Sequence, residues 1–358
     1  VIEKSKLDQK TQKMLTREIS NMDIIAHPNI IRLFEVVETL TRIHLVLEFA
    51  PCGELFNRIS TEGRLNESEA IIIFSQVLSA VIYLHNLSII HRDIKAENVF
   101  MISNKRVKLG DFGFSTKVSN LSEQLSTFCG SPPYAAPELY KDESYEGPGV
   151  DIWALGVLLF FLLTADMPFK ASTVAGLKRQ ILGGSFLIPL HVSDNARDLI
   201  NKLMVQSPQE RLSPSQISTH PWFRGTDAVV RDSLLPYVTF PRPSNTKEKI
   251  SDEEMEVFSL LNDWGISRKS LDDSIEKGAR SAIVATYRIL MHHLLHADET
   301  DGSLYDESRF EGHSGINTPS EARSTAGSSS LSPKKNKFRL KNGLSKSGKL
   351  KSKACIIL

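Results

Sequence analysis

The chain has 358 residues, of which 41% are hydrophobic and 24% charged, with a formal net charge of +1. These proportions are those of soluble globular proteins and exclude a wholly disordered chain, a collagen and a coiled-coil rod. The near-neutral sum hides an asymmetry. Residues 334–353 carry nine Lys or Arg and no acidic side chain, while the other residues hold 34 basic and 42 acidic ones. A basic tail therefore follows an acidic body.

Residues 1–224 contain strongly periodic segments, and we predict that they form one globular domain. The apolar pattern of residues 11–24 predicts a helix. Residues 32–37 and 43–48 are rich in β-branched side chains and predict two adjacent strands. The longest apolar run, residues 152–163, is too short for a bilayer span of about 20 residues and is typical of a buried core helix.

The composition changes three times beyond this domain. We predict a proline-containing connector at 225–250 and a small helical domain at 251–297, with its clearest helix near 281–295. Residues 298–354 are rich in Ser and Gly and then basic, so they cannot bury enough apolar surface to fold, and we predict a disordered tail. The last four residues, 355–358, read CIIL.

The three cysteines, Cys52, Cys129 and Cys355, are not spaced like a metal site or a redox pair. So few cysteines, and an odd number of them, indicate a reducing compartment, and we expect the protein in the cytoplasm.

Three short signatures occur in a fixed order in the large domain. They are HRDIKAEN at 91–98, DFG at 111–113 and APE at 136–138. Each is weak alone, but the ordered set is very unlikely to arise by chance. The residue types suit phosphoryl transfer, which depends mostly on positioning and on neutralising negative charge.

The ordered set resembles that of eukaryotic protein kinases, over residues 1–223. The presence of a lysine, Lys95, two residues after Asp93 resembles the pattern of Ser/Thr kinases. The segment LSTFCGSPPY at 125–134 resembles AMP-activated-protein-kinase-related enzymes of the CAMK-like group, and KAEN at 95–98 looks closest to the Nim-like branch. The resemblance implies an α+β, two-lobed kinase fold with a truncated small lobe, then a ubiquitin-associated-like helical domain. The plainer alternative for that last part is any small helical satellite.

The resemblance implies a role for each matching residue, with ATP and Mg²⁺ as cofactors. Asp93 accepts the proton of a substrate hydroxyl, and Lys95 reaches the transferring phosphate. Asn98 and Asp111 offer oxygen ligands to Mg²⁺. Glu18 is the helix glutamate that pairs with the ATP-anchoring lysine. The alternatives are an Asp that only caps a turn and a solvated helical Glu.

The segment after the second predicted strand resembles the hinge between kinase lobes. By this resemblance, backbone groups of Glu48 and Ala50 hold adenine and Glu54 holds the ribose. Leu47 guards the pocket behind adenine. Glu54 and Glu97 place negative charge near the peptide groove, so we expect protein substrates with a basic residue before the target Ser or Thr.

Two signatures of the family are missing from the sequence: a G-x-G-x-x-G loop and a V-A-I-K strand. Lys4 is only 14 residues before Glu18, too close to be the anchoring lysine. One explanation is that the chain is an N-terminally incomplete piece of an active kinase. The other is a catalytically inactive kinase-fold scaffold.

Thr127 occupies the activating phosphorylation position of the related enzymes, which implies an upstream kinase. A phosphate there adds about −1.5 to −2 charge, and Arg92 is the guanidinium expected to pair with it. The alternative is an ordinary loop threonine.

The CIIL ending fits a C-a-a-X prenylation motif whose Cys355 lies directly behind the basic run. One lipid with a polybasic patch gives stable anchoring, so we expect association with an anionic membrane. The alternatives are a solvated basic tail, a remote membrane-tethered adaptor with an inert kinase fold, or a nucleic-acid or nuclear-import patch. We expect no specific nucleic-acid partner.

Overall fold

The computed structural model describes residues 1–224, 240–244 and 250–295. Most of the predicted connector, the predicted disordered tail and Cys355 lie outside the described residues. The described part has the α+β, two-lobed arrangement that the sequence predicts, with a sheet-containing small lobe and a mainly helical large lobe.

The small lobe combines one helix with a three-stranded antiparallel sheet. Its elements are β1 (Ile2–Glu3), α1 (Gln9–Asp23), β2 (Leu33–Glu38) and β3 (Arg42–Leu47). Helix α1 begins after Asp8, whose side chain accepts the N–H of Thr11 and so satisfies one of the unpaired amides of the first turn. The strand order is β1-β3-β2. The predicted helix and the two adjacent strands are therefore confirmed.

The large lobe is built on helices that pack around a common core. Its helices are α2 (Leu55–Glu62), α3 (Glu67–Asn86), α4 (Glu138–Lys141), α5 (Gly147–Thr164), α6 (Val174–Gly183), α7 (Asp194–Leu203) and α8 (Pro214–Ser218). Helices α3 and α5 are long and apolar enough to cross a membrane by length and composition, but 67% and 83% of their apolar windows are buried. They are core helices, as predicted for residues 152–163.

Three short strand pairs place the catalytic segments. They are β4 (Ile89–Ile90) with β7 (Thr116–Lys117), β5 (Val99–Met101) with β6 (Val107–Leu109), and β8 (Gln124–Leu125) with β9 (Tyr145–Glu146). The segment 91–98 lies between β4 and β5, and the segment 111–113 lies between β6 and β7. Because β5 pairs with β6, the two segments emerge from the same edge of one hairpin.

The helical region at 250–295 contains α9 (Asp252–Asp263), α10 (Arg268–Asp272), a 3-10 segment at Ile275–Arg280 and α11 (Ala282–Leu295). It has its own small core, in which Val257, Leu261 and Tyr287 are buried. The predicted apolar face of the last helix is confirmed: Tyr287 is buried, and Ile283, Leu290 and Leu294 pack against that core. Helix α11 and the 3-10 segment contact β2 of the small lobe.

Candidate active site

The loop 91–98 is anchored from α5 by Asp151, which is fully buried. Asp151 accepts hydrogen bonds from the backbone N–H groups of His91 (3.0 Å) and Arg92 (2.8 Å), and its Oδ2 lies 2.9 Å from Nε2 of His85. Burial alone would raise the pKa of Asp151, but the hydrogen bond from His85 and the other donors outweigh it and lower the pKa. The ionised carboxylate thereby fixes the loop.

Asp93 lies at the centre of this loop and is 3% exposed. Its Oδ1 accepts the backbone N–H of Ser131 at 2.9 Å. Its Oδ2 accepts from Nζ of Lys95 at 2.6 Å and from Nδ2 of Asn98 at 3.1 Å. The structure therefore brings the three predicted catalytic residues, Asp93, Lys95 and Asn98, together around one carboxylate.

Lys95 joins the loop to the segment 125–134, here called the activation segment, because its Nζ also donates to Oγ of Ser131 at 2.8 Å. Burial would lower the pKa of Lys95, but the hydrogen bond and ion pair with Asp93 outweigh it, so the pKa is raised. The ammonium is thus a fixed positive charge within reach of the base.

The predicted magnesium ligands, Asn98 and Asp111, precede and follow the β5–β6 hairpin and therefore lie at its open end. The N–H of Gly110 donates to the carbonyl of Asn98 at 2.9 Å, which ties the two segments together. Both hydrogen bonds of the Asn98 amide to Asp93 use Nδ2, so within the described residues Oδ1 stays available as an oxygen ligand. Magnesium takes oxygen ligands, often one or two protein groups plus substrate phosphates, and this donor pair fits that chemistry.

Glu18, on α1, lies beside Asp111 in a mostly buried position. Burial and the nearby carboxylate of Asp111 raise the pKa of Glu18 from 4.5 to about 7, and no cation in the described part of the chain lowers it. Lys4 instead pairs with Glu38 at 2.6 Å. The interpretation that Lys4 is not the partner of Glu18 is confirmed.

The hinge follows β3 and keeps its adenine-binding backbone groups open. The N–H of Glu48 donates to the carbonyl of Arg32 at 2.9 Å, but the backbone hydrogen bonds of the described residues use neither the Glu48 carbonyl nor the Ala50 N–H. The Glu48 side chain points elsewhere, to a buried ion pair with Lys108 at 2.8 Å. Leu47, which is predicted to lie behind adenine, is 42% exposed.

The predicted ribose ligand, Glu54, precedes α2 and lies near Glu97. Burial raises the pKa of Glu97, with smaller contributions from the charges of Asp93 and Glu54. The Oε2 atom of Glu97 is buried without a hydrogen-bond partner in the described residues. Glu54 and Glu97 therefore form an acidic pair beside Asp93.

The predicted regulatory pair, Thr127 and Arg92, is linked indirectly. Thr127 is exposed, and its carbonyl accepts the phenol O–H of Tyr145 at 2.8 Å. Arg92 donates from Nη1 to the same phenol oxygen at 3.4 Å and from Nε to the carbonyl of Phe114 at 2.7 Å. Arg92 is thus held close to the Thr127 backbone through Tyr145.

Two residues of the site escaped the sequence analysis. Ser131 contacts both Asp93 and Lys95, and Tyr145 bridges Arg92 to Thr127. Ser131 lies within the segment 125–134 that resembles the related enzymes, and its place in that segment is the available signal. Tyr145 gave none, because it lies outside every signature.

A buried ion pair joins two segments of the large lobe. Arg211 donates from Nη1 and Nη2 to the two carboxylate oxygens of Glu138 at 2.6 and 2.7 Å. Both side chains are buried. His91 and Phe112 pack ring against ring at 5.0 Å, also within the core.

Comparison with known proteins agrees with this geometry. The family profile described as "Protein kinase domain" matches residues 1–223. The chain is 36% identical over 294 residues to "Serine/threonine-protein kinase SIK2" of Gallus gallus, which covers 82% of this chain and 36% of that protein. It is equally identical to "Serine/threonine-protein kinase SIK1" of Mus musculus, over 82% of this chain and 37% of that protein. The chain thus spans little more than a third of the length of these relatives.

Proposed function

Because the chain belongs to the protein kinase family, we propose that it transfers the γ-phosphate of ATP to Ser and Thr hydroxyls of proteins. The observation that carries this proposal is the arrangement around Asp93, whose carboxylate is held by Lys95, Asn98 and the Ser131 amide. The SIK1 and SIK2 relatives are both named serine/threonine-protein kinases, which supports the choice of acceptor. The placement in the Nim-like branch stays a prediction.

Each step of phosphoryl transfer can be assigned to a side chain or backbone group of this chain. Asp93 accepts the proton of the substrate hydroxyl, and its three donors fix the direction in which its oxygens point. Lys95, at 2.6 Å from Asp93, sets a positive charge beside the transferring group. Asn98 and Asp111 would hold Mg²⁺, which supplies neutralisation of phosphate charge when bound. The open carbonyl of Glu48 and N–H of Ala50 would orient adenine.

The test is phosphate transfer from radiolabelled ATP to a basic Ser/Thr peptide by the purified chain. We expect slow transfer that falls by about 10²–10⁴-fold in Asp93→Asn, since that is the usual contribution of a general base. Asp166→Asn is the matched control, because Asp166 forms an exposed ion pair with Lys170. Transfer that survives unchanged in Asp93→Asn contradicts the proposal.

The catalytically inactive scaffold is not favoured, because the SIK1 and SIK2 relatives are both named serine/threonine-protein kinases. A scaffold would bind nucleotide through the hinge without turning it over. Equal, background-level transfer by the wild-type chain and Asp93→Asn, together with measurable ATP binding, would select this candidate.

The basic tail and Cys355 support a second proposal, that the protein associates with anionic membranes through a prenyl group. Each basic residue near an anionic leaflet contributes about 1 kcal/mol, and one lipid chain plus such a patch gives stable anchoring. Membrane fractionation and intact mass of protein from animal cells test it. We expect Cys355→Ser to move to the soluble fraction, with Cys52→Ser as the control. An unmodified Cys355 contradicts the proposal.

A further inference from the structure

The C-terminal end of α1 is held by the helical region through several contacts to one residue, Asp23. The Oδ1 atom of Asp23 accepts the backbone N–H of Ala279 at 2.8 Å and lies 2.8 Å from Nη1 of Arg288. Arg288 also donates from Nη2 to the Asp23 carbonyl at 3.2 Å. A catalytic-lobe helix and a segment more than 250 residues away in sequence are thereby joined at one point.

Close packing accompanies these polar contacts. Gly278 has a left-handed φ of 53°, and a Cβ atom at this position would come within 1.9 Å of Asp23 Oδ2. Only glycine adopts this backbone readily and leaves room for the carboxylate. The turn before Ala279 is therefore shaped around the Asp23 side chain.

Asp23 needs this support for an electrostatic reason. It is the last residue of α1, where the partial negative charge of the helix end disfavours a carboxylate and favours a cation. The last turn of α1 contains no basic residue. Arg288, whose side chain is 3% exposed, supplies that cation from the helical region.

The same helix reaches the active site within a short distance of Asp23. Asn21 donates from Nδ2 to Oγ of Ser115 at 2.9 Å, and Ser115 donates to the carbonyl of Phe112 at 2.7 Å. Glu18 is five residues before Asp23, about 7.5 Å along the helix axis, and faces Asp111. A shift of the Asp23 end would therefore move both contacts to the segment 111–115.

The helical region also touches the hinge. Nε2 of His292, on α11, lies 3.6 Å from Oε1 of Glu48, the acceptor of the Lys108 ion pair. The ring of His292 packs edge-on against Phe34 of β2, with centroids 5.2 Å apart. One helix, α11, thus contacts both β2 and the hinge.

From these contacts we propose that Arg288 is a positioning residue that acts through Asp23. The docked helical region holds α1 so that Glu18 and Asn21 stay turned towards the 111–115 segment, and it thereby raises the affinity for nucleotide. The part of this inference that concerns nucleotide rests on the proposed function. The part that concerns the position of α1 does not.

The experiment uses the full chain and a matched pair of substitutions, Arg288→Met and Arg288→Lys, together with Asp23→Asn. Hydrogen exchange without nucleotide is followed at residues 15–23 and 111–115. We expect exchange at both segments to become at least about 10-fold faster in Arg288→Met and Asp23→Asn. Arg288→Lys, which keeps the charge, should restore much of the protection. Affinity for Mg·ATP, measured by fluorescence titration, should fall about 5-fold or more in the first two variants.

The control separates positioning from general loss of stability. Arg242→Met removes an ion pair that joins the 240–244 stretch to Glu254 of the helical region, away from α1. Even if Arg242→Met lowers the melting temperature as much as Arg288→Met does, it should leave exchange at 111–115 and the affinity for ATP at wild-type values. The proposal is wrong if Arg288→Met and Asp23→Asn speed exchange only within 281–293. If the wild-type chain binds no ATP, the proposed function fails, while the exchange measurement still decides this inference.

Discussion

The carboxyl group of Glu18 lies beside that of Asp111, and burial together with this second carboxylate raises the pKa of Glu18 to about 7. Glu18 is therefore partly protonated near neutral pH in the folded chain. A cation placed between the two carboxylates would reverse the shift by favouring the ionised form.

The raised pKa of Glu18 predicts a specific pH dependence of stability. The folded chain binds the Glu18 proton more tightly than the unfolded chain, so its contribution to stability is complete below pH 4.5 and is lost as pH rises through about 7. Glu18→Gln cannot ionise, so it should gain stability relative to wild type between pH 5 and 8, by about 1–2 kcal/mol after allowance for solvent screening. Thermal unfolding at a series of pH values measures this difference.

Glu123→Gln serves as the control for that series, because Glu123 lies just before the activation segment and accepts a surface hydrogen bond from the Ser119 amide. Its difference from wild type should not change between pH 5 and 8. A constant difference between Glu18→Gln and wild type over the same range would show that Glu18 titrates normally.

The link from Thr127 through Tyr145 to Arg92 predicts that phosphorylation at Thr127 controls activity. A phosphate at this exposed hydroxyl adds strong acceptors close to the Arg92 guanidinium, which should order the activation segment that carries Ser131. After treatment with an upstream kinase, Thr127→Ala should phosphorylate a peptide about 10-fold or more slowly than wild type. Ser126→Ala, at the adjacent exposed position, should keep it. Equal activation of the two variants would rule out Thr127 as the switch.

The buried pair between Arg211 and Glu138 predicts a large effect on stability. Two hydrogen bonds of 2.6 and 2.7 Å join the groups, and Arg211 also donates to the carbonyl of Gly149 at 2.6 Å. Removing one partner leaves a buried charge uncompensated, so Glu138→Gln should lower the free energy of unfolding by about 3–5 kcal/mol in urea titrations. Lys202→Ala breaks an exposed pair with Asp198 and should cost less than about 1 kcal/mol. A similar cost for both variants would mean that burial does not govern these pairs.

Local patterns account for what could be predicted from the sequence. Helix α1, predicted at 11–24, is observed at Gln9–Asp23, because helical periodicity extends over several turns. Asp93, Asn98 and Asp111 were found because the chemistry of phosphoryl transfer requires them at short, ordered spacings. Such signals lie within one segment of the chain.

The contacts that sequence reasoning missed join segments far apart in the chain. Ser131 and Asp93 are 38 residues apart, Tyr145 and Arg92 are 53 apart, and Arg288 and Asp23 are 265 apart. Periodicity shows that a face of a helix is buried, but it does not show which segment covers that face. The partner of Asp23 therefore became visible only when the fold placed α11 against the small lobe.

The two carboxylates of Glu97 and Glu54 predict the substrate preference of the enzyme. They lie close enough to Asp93 to interact with its charge, so a cationic side chain of a peptide bound at Asp93 would be attracted to them. A hydrogen bond to a charged group contributes about 1.5–3 kcal/mol, so Glu97→Gln should reduce the ratio of kcat/KM for a Lys- or Arg-containing peptide over its norleucine analogue by about 10-fold or more. Because burial raises the pKa of Glu97, the wild-type preference should also weaken as the pH falls towards that pKa. Activity on the norleucine peptide is the internal control and should change little. A ratio that is the same in Glu97→Gln and wild type would place the recognition of basic residues elsewhere.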